Sequence, residues 1–252
     1  MAASRLADLA ERTVVLKIPI HSLIETDIPE VVEALLAEEG VSQIVLLRWW
    51  DFMRARANRE LRRCVIDASL SIPVSRSIVA GARFLRKRRP PRHLPFDLTI
   101  RLLGALEDRQ KSIYVLGGGT QALRTVEQNL RETFPNLRFV GRYTGNFSKP
   151  VEADIITAIR KAGPDLLLIG SGVPGGDRWV SRHRSELGAG IALQCSEAFE
   201  IFAERRQRTS RTAFRRGTDF LPGLFRRPWR ALRFFVFLWY LIMLVVAKIF
   251  RL

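Results

Sequence analysis

The chain has 252 residues, 47% of them hydrophobic, which suits one large domain or one domain with an appendage. Its two cysteines, Cys64 and Cys195, lie in apolar segments, and no secretory signal opens the chain. Composition therefore argues against an oxidised, secreted scaffold and for a reducing, cytoplasmic setting. The net charge of +16 is unevenly spread: ten basic residues between Ile201 and Arg233 face only Glu204 and Asp219. A second basic cluster runs from Arg83 to Arg92. Such runs attract nucleic acid, anionic lipid or phosphorylated substrates, or are simply a solvated surface.

In chain order, Thr13–Ile18 reads as a first strand. Asp27–Ile28–Pro29 opens a helix that Gly40 closes. Ser42–Leu47 is the next strand, and Trp49–Asn58 is helical. Cys64–Asp67 reads as a short strand that ends in an acid. A helix follows over Ser75–Leu85. The prolines of Arg86–Asp97 exclude helix and central strand, so that run is a basic loop. A helix over Asp97–Leu106 leads into three apolar runs, Ile113–Leu116, Leu137–Val140 and Leu166–Ile169, that alternate with two stretches of helical period. Each run ends in glycine. That is the pattern of buried parallel strands feeding crossover helices. A helix from Trp179 to about Leu187, a strand at Gly190–Gln194 and a helix at Glu197–Arg208 complete the domain. The expected fold is α/β: a Rossmann-like, mostly parallel sheet with flanking helices over residues 1–205. A basic appendage at 206–233 and a hydrophobic helix at 234–250 follow it.

Ligands in such sheets bind at the carboxyl ends of the strands. This chain places glycine-rich turns there, at Gly117–Gly118–Gly119–Thr120, Gly141–Gly145 and Gly170–Gly176. Glycine lets a backbone approach a ligand closely, and Thr120 is placed to cap the next helix and aim its amides at an anion. The three turns thus suggest one crevice for a phosphate-bearing small molecule.

The last segment differs in kind. Phe234–Ala247 holds fourteen uncharged, almost wholly apolar residues between Arg233 and Lys248. As a helix it is about 21 Å long, against roughly 30 Å of bilayer hydrocarbon. A tilted or interfacial anchor, a true span and a buried helix all remain open. The anchor is the expectation taken forward, and it places the chain on the cytoplasmic face of the membrane.

Several runs resemble the WecG/TagA/CpsF glycosyltransferases. They are Val115–Gly118, Asn129–Leu130 with Pro135, Gly141–Phe147, and Pro164–Pro174 with Trp179 following. Val65–Ile66–Asp67 looks like the family's aspartate-bearing strand end, and Arg92–Asp97 resembles its Arg-x-x-Gly-x-Asp segment. The likeness covers roughly residues 12–205. It implies an inverting transferase that needs no metal or cofactor. Such an enzyme moves an N-acetylmannosamine-type sugar from a UDP donor to a polyprenyl-diphosphate-linked acceptor. On that likeness Asp67 is the base for the acceptor hydroxyl, Arg92 a phosphate-binding cation and Asp97 its partner. Gly117, Gly118, Gly119, Thr120, Gly145, Gly170, Gly172 and Pro174 would hold the donor. Arg226 and Arg230 would grip the acceptor diphosphate, because a planar guanidinium can hold it bidentately. An anionic membrane surface is the remaining expected partner, and an oligomer is left open. The chain departs from the family at Leu46–Leu47–Arg48, where Thr-x-Asn is usual, at Pro95 in place of a glycine, and at Pro174–Gly175–Gly176–Asp177, where Pro-Lys-Gln-Glu is usual.

Three other readings compete. Gly117–Ala122 fits a Gly-x-Gly-x-x-Ala dinucleotide fingerprint, but Gly141–Arg142 stands where the acid should follow. The changed family positions would suit a protein of the same fold that binds a sugar nucleotide without turning it over. Nucleic acid is the weakest, since the basic runs carry no interleaved stacking aromatics. Neither the histidines nor the cysteines have metal-ligand spacing, and no Asp-x-Asp pair exists to hold a metal with a nucleotide.

Overall fold

The computed structural model describes residues 2–188, 190–210, 212, 214 and 233–250. It opens with a short helix, α1 (Ala2–Leu9), and an antiparallel hairpin, β1 (Ala10–Val15) and β2 (Ile18–Leu23). The expected strand at Thr13–Ile18 is therefore two strands. Their two-residue turn is Leu16–Lys17, both at positive φ (47° and 67°). Glycine or asparagine normally marks such a turn, and here neither does.

The core is a six-stranded, wholly parallel sheet. Its strands are β3 (Val41–Leu47), β4 (Leu70–Pro73), β5 (Ser112–Leu116), β6 (Arg138–Tyr143), β7 (Leu166–Ile169) and β8 (Gly190–Gln194). They lie in the order β4-β3-β8-β7-β5-β6. β5 and β7 are buried along their whole length, as strands covered on both faces must be. Alternate side chains feed opposite layers. Ile113, Val115, Leu166, Leu168, Ile191 and Leu193 pack with α1, α2 (Ile28–Leu36), α6 (Pro95–Glu107), α7 (Thr120–Thr133) and α10 (Ser196–Phe202). Tyr114, Leu116, Leu167, Ile169 and Ala192 pack with α8 (Lys149–Ala162) and α9 (Asp177–Arg182) on the other face. Val45 and Leu47 extend that second face over α3 (Trp49–Ala57), α4 (Arg59–Asp67) and α5 (Arg76–Phe84). The hairpin leans on β4: the Ser71 amide donates to His21 Nδ1 at 3.0 Å and the Ser71 hydroxyl to the Pro19 carbonyl at 2.8 Å.

Two expectations are corrected. Cys64–Asp67 is the last turn of α4, not a strand. Asn58 caps that helix by accepting from the Leu61 amide at 2.9 Å, and Leu61, Cys64 and Val65 form its buried stripe at helical spacing. The strand that follows is β4, and its carboxyl end carries Val74 and Ser75. The second correction concerns the tail. α11 (Arg233–Ile249) docks Tyr240, Leu244 and Ala247 on the domain, and Tyr240 packs edge-on against Phe52 with ring centres 6.1 Å apart. Its hydroxyl donates to the Ser77 carbonyl at 2.9 Å. Among the described residues no helix is long and apolar enough to cross a membrane. The expected C-terminal anchor, and the localisation resting on it, are thereby overturned. Phe235, Trp239 and Ile249 remain exposed on the outer face of α11.

Candidate functional site

All six strands point the same way, so their carboxyl ends form one edge. There the turns after β5, β6 and β7 are knitted together through the backbone. The Gly117 amide donates to the Tyr143 carbonyl (3.0 Å), Gly118 to Ser171 (2.7 Å), and Gly145 to Gly118 (2.8 Å). The glycines are what make this possible. A Cβ on Gly117, whose φ is 151°, would stand 2.7 Å from the Gly170 Cα, and one on Gly145 would stand 2.5 Å from the Ser171 carbonyl oxygen. On Gly118 and Gly170 it would run into the Phe199 ring at 2.5 and 2.2 Å. Most of the loop glycines thus serve the packing of the turns on one another.

Gly119 is different. It is exposed, and a Cβ there would meet nothing within 4 Å. It is also the N-cap of α7, and no side chain caps that helix, so Thr120 is its first residue rather than its cap. The first-turn amides of α7 therefore open beside an uncluttered surface. Gly172 and Pro174 are exposed on the turn after β7, with the Asn146 side chain against Gly172. Gly141 is not at a strand end: β6 continues to Tyr143, and Gly141 makes room for the Tyr114 ring.

Beside this glycine edge lies a charged patch. Glu197, only 7% exposed, takes the Arg48 guanidinium at 3.4 Å and Arg206 at 3.5 Å on Oε2, while the Thr209 hydroxyl donates to Oε1 at 3.3 Å. The chain after α10 thus folds back toward the carboxyl edge. Glu200 accepts from the Ser171 hydroxyl at 2.5 Å. Asp177 follows Gly176 on the turn after β7, and the Gln194 side chain packs against that glycine. Its own carbonyl accepts from Gln43 Nε2 (2.8 Å) and from Cys64 Sγ (3.3 Å), which fixes the residue in place. Its side-chain Oδ1 is closed off from water and has no hydrogen-bond partner. Burial pushes this carboxyl up to about 7; the Asp51 charge adds to the rise, while Gln43 and Arg48 oppose it. Asp177 is the first residue of α9 rather than its cap, and no side chain caps that helix. Deeper still, the indole of fully buried Trp179 donates to Glu152 Oε1 at 2.6 Å.

Asp67 does not join this edge. Asp67 ends α4, exposed, and its carbonyl takes Arg184, which also holds the Val41 carbonyl at the start of β3. It therefore lies at the amino-terminal edge of the sheet, opposite the glycine turns. Arg92 lies over the Phe214 ring, 3.4 Å from its centre, and donates to the Phe214 carbonyl. Asp97 is half-buried in the first turn of α6. Arg226 and Arg230 lie outside the described residues. No group of three potential metal ligands occurs among the described residues.

The sheet order and the turns define an open, doubly wound α/β protein whose carboxyl edge is built of interlocked glycine turns. The chain belongs to the glycosyl transferase WecG/TagA/CpsF family, whose model matches residues 13–252. A relative from Bacillus subtilis (strain 168) is an N-acetylglucosaminyldiphosphoundecaprenol N-acetyl-beta-D-mannosaminyltransferase. It is 20% identical over 164 residues, which cover 65% of this chain and 63% of that protein. The match thus spans less than two thirds of the relative's length.

Proposed function

We propose that this chain is an inverting, metal-independent glycosyltransferase. It moves an N-acetylmannosamine-type sugar from UDP to a polyprenyl-diphosphate-linked acceptor sugar in the synthesis of a cell-surface polysaccharide. The observation that carries this reading is the open head of α7 at Gly119–Thr120, set among the interlocked turns of Gly117, Gly118, Gly145, Gly170 and Gly172 in a member of this family. Free backbone amides at a helix N-terminus suit the donor diphosphate, and Gly172 and Pro174 bound the space for its sugar. Cationic side chains replace a metal in neutralising the departing UDP. Arg92, oriented by Asp97, is the cation assigned to it, and Arg226 and Arg230 are assigned to the acceptor diphosphate. Asp67 takes no part, because it opens at the opposite edge of the sheet. The net charge of +16 suits peripheral attraction to the anionic lipid surface where a polyprenyl acceptor resides.

A second reading is supported by one observation. The carboxyl end of β4 carries Val74 and Ser75 and no acid, which suits a protein that binds a sugar nucleotide without turnover. One experiment separates the two. The purified chain is incubated with UDP-N-acetylmannosamine and a polyprenyl-diphosphate N-acetylglucosamine, with and without chelator, and the lipid products are weighed by mass spectrometry. The transferase reading predicts a disaccharide-lipid in both conditions. UDP binding without product favours the second reading, and product that vanishes in chelator and returns with magnesium contradicts the metal-free mechanism.

A further inference from the structure

A sugar transfer needs a group to take the acceptor proton, and with Asp67 at the far edge that group must be found elsewhere. The carboxylates beside the glycine turns can be compared directly. Glu197 has both oxygens engaged, by Thr209 on one side and by Arg48 and Arg206 on the other. Glu200 holds the Ser171 hydroxyl, and Glu152 holds the Trp179 indole. Asp51 pairs with Arg54 at 3.9 Å within α3. Asp177 stands apart, because its Oδ1 is buried with no partner while its backbone is pinned by Gln43 and Cys64. An unsatisfied buried carboxyl oxygen costs free energy. Asp177 as a residue is part-exposed on the turn after β7, so a rotation of its carboxyl would bring that oxygen to an incoming hydroxyl, which would supply the missing hydrogen bond.

We propose that Asp177 is the general base of this chain, taking the proton from the acceptor sugar hydroxyl as that oxygen attacks the donor's anomeric carbon. The inference rests on the transferase reading above. The new bond joins the acceptor oxygen to the anomeric carbon. The bond from that carbon to the UDP oxygen breaks, and UDP leaves with the electron pair. The proton rests on Asp177 and returns to solvent after product leaves. The charged groups around Asp177 fit the task. Asp51 from α3 holds the carboxyl toward its protonated form, and Arg48 at the end of β3 toward its ionised form. The Cys64 thiol from α4 titrates far above neutrality, and Arg178 on α9 is paired with Glu60 at 3.2 Å. A carboxyl that changes charge near neutral pH is matched to a base working there.

The test is the pH dependence of kcat for the full chain and for Asp177→Asn, with UDP-N-acetylmannosamine and a polyprenyl-diphosphate N-acetylglucosamine. UDP affinity by calorimetry and thermal unfolding are measured alongside. The wild-type kcat should climb to a plateau through a limb near pH 7. Asp177→Asn should lose about 100-fold or more, show no such limb, bind UDP within threefold of wild type and melt no lower than it. A wild-type chain that transfers sugar with kcat flat from pH 6 to 8 overturns the assignment, whatever the variant does. So does an Asp177→Asn chain within threefold of wild type, and both results leave the transferase reading standing. A wild-type chain that binds UDP and transfers nothing overturns the transferase reading and the base assignment together.

Discussion

Substituting Gly81 tests how the C-terminal helix is held. Gly81 is buried on α5, and a Cβ there would stand 2.0 Å from the Tyr240 hydroxyl and 3.3 Å from Leu244 Cδ2. Gly81→Ala must therefore push Tyr240 out of its seat between α3 and α5. The loss comprises the hydrogen bond to Ser77, about 1 kcal/mol, and the burial of the ring, about 2 kcal/mol. Alanine gains back up to about 1 kcal/mol over glycine as a helix former. The docking of α11 should weaken by about 2 kcal/mol, a roughly 30-fold rise in its opening equilibrium. Hydrogen exchange reads this directly: amides of α11 should exchange about 30-fold faster, while those of β5 and β7 are unchanged. Tyr240→Phe, which removes only the hydrogen bond, should give about fivefold. If Gly81→Ala leaves α11 amides within threefold of wild type, the helix is not held through this seat.

Three further outcomes follow from the packing. His21 is held down to about 4, first by burial and then by the Arg12 charge, and its Nδ1 accepts from Ser71 only when the ring is neutral. The folded pKa lies below the unfolded 6.5, so its contribution is complete above pH 6.5 and is lost as pH falls toward 4. Denaturant titrations should show wild type losing up to about 3 kcal/mol over that window relative to His21→Gln; equal slopes would contradict it. Gly170→Ala should destabilise by about 1–3 kcal/mol through its clash with Phe199, whereas Gly119→Ala should melt within error of wild type. Burial pushes the Cys64 thiol up to about 12 and raises Cys195 as well. A thiol reagent at pH 8 should therefore titrate neither until denaturant is added, and a fast-reacting thiol in the native chain would refute the burial.

The parallel core was legible because its strands are covered on both faces and so read as unbroken apolar runs closed by glycine. Ser112–Leu116 and Leu166–Ile169 follow that rule, while Gly190–Gln194 keeps only the apolar run and is followed by Cys195. Cys64–Asp67 did not, since four residues cannot distinguish a strand from the last turn of an amphipathic helix. Asn58 was the missed signal: it ends α3 and caps α4 at once. The fate of α11 was hidden for another reason. An all-apolar helix gives no hint of which face docks, and the seat depends on Gly81, far away in sequence. The glycine turns were visible as glycine-rich strand ends, but their structural task, letting three turns lock together over Phe199, appears only in three dimensions. Asp177 gave no such signal in sequence, because what pins it, the Gln43 side chain on β3 and the Cys64 thiol on α4, lies more than a hundred residues away in the chain.

The most direct measurement of the central claim is where the nucleotide sits. Photocrosslinking with 5-azido-UDP, followed by peptide mapping, should place adducts in residues 117–122, 144–147 and 170–177, and unlabelled UDP should abolish them. Adducts confined to the exposed face of α7 and β6, around Arg124, Arg131 and Arg142, would contradict a nucleotide site at the carboxyl edge of the sheet.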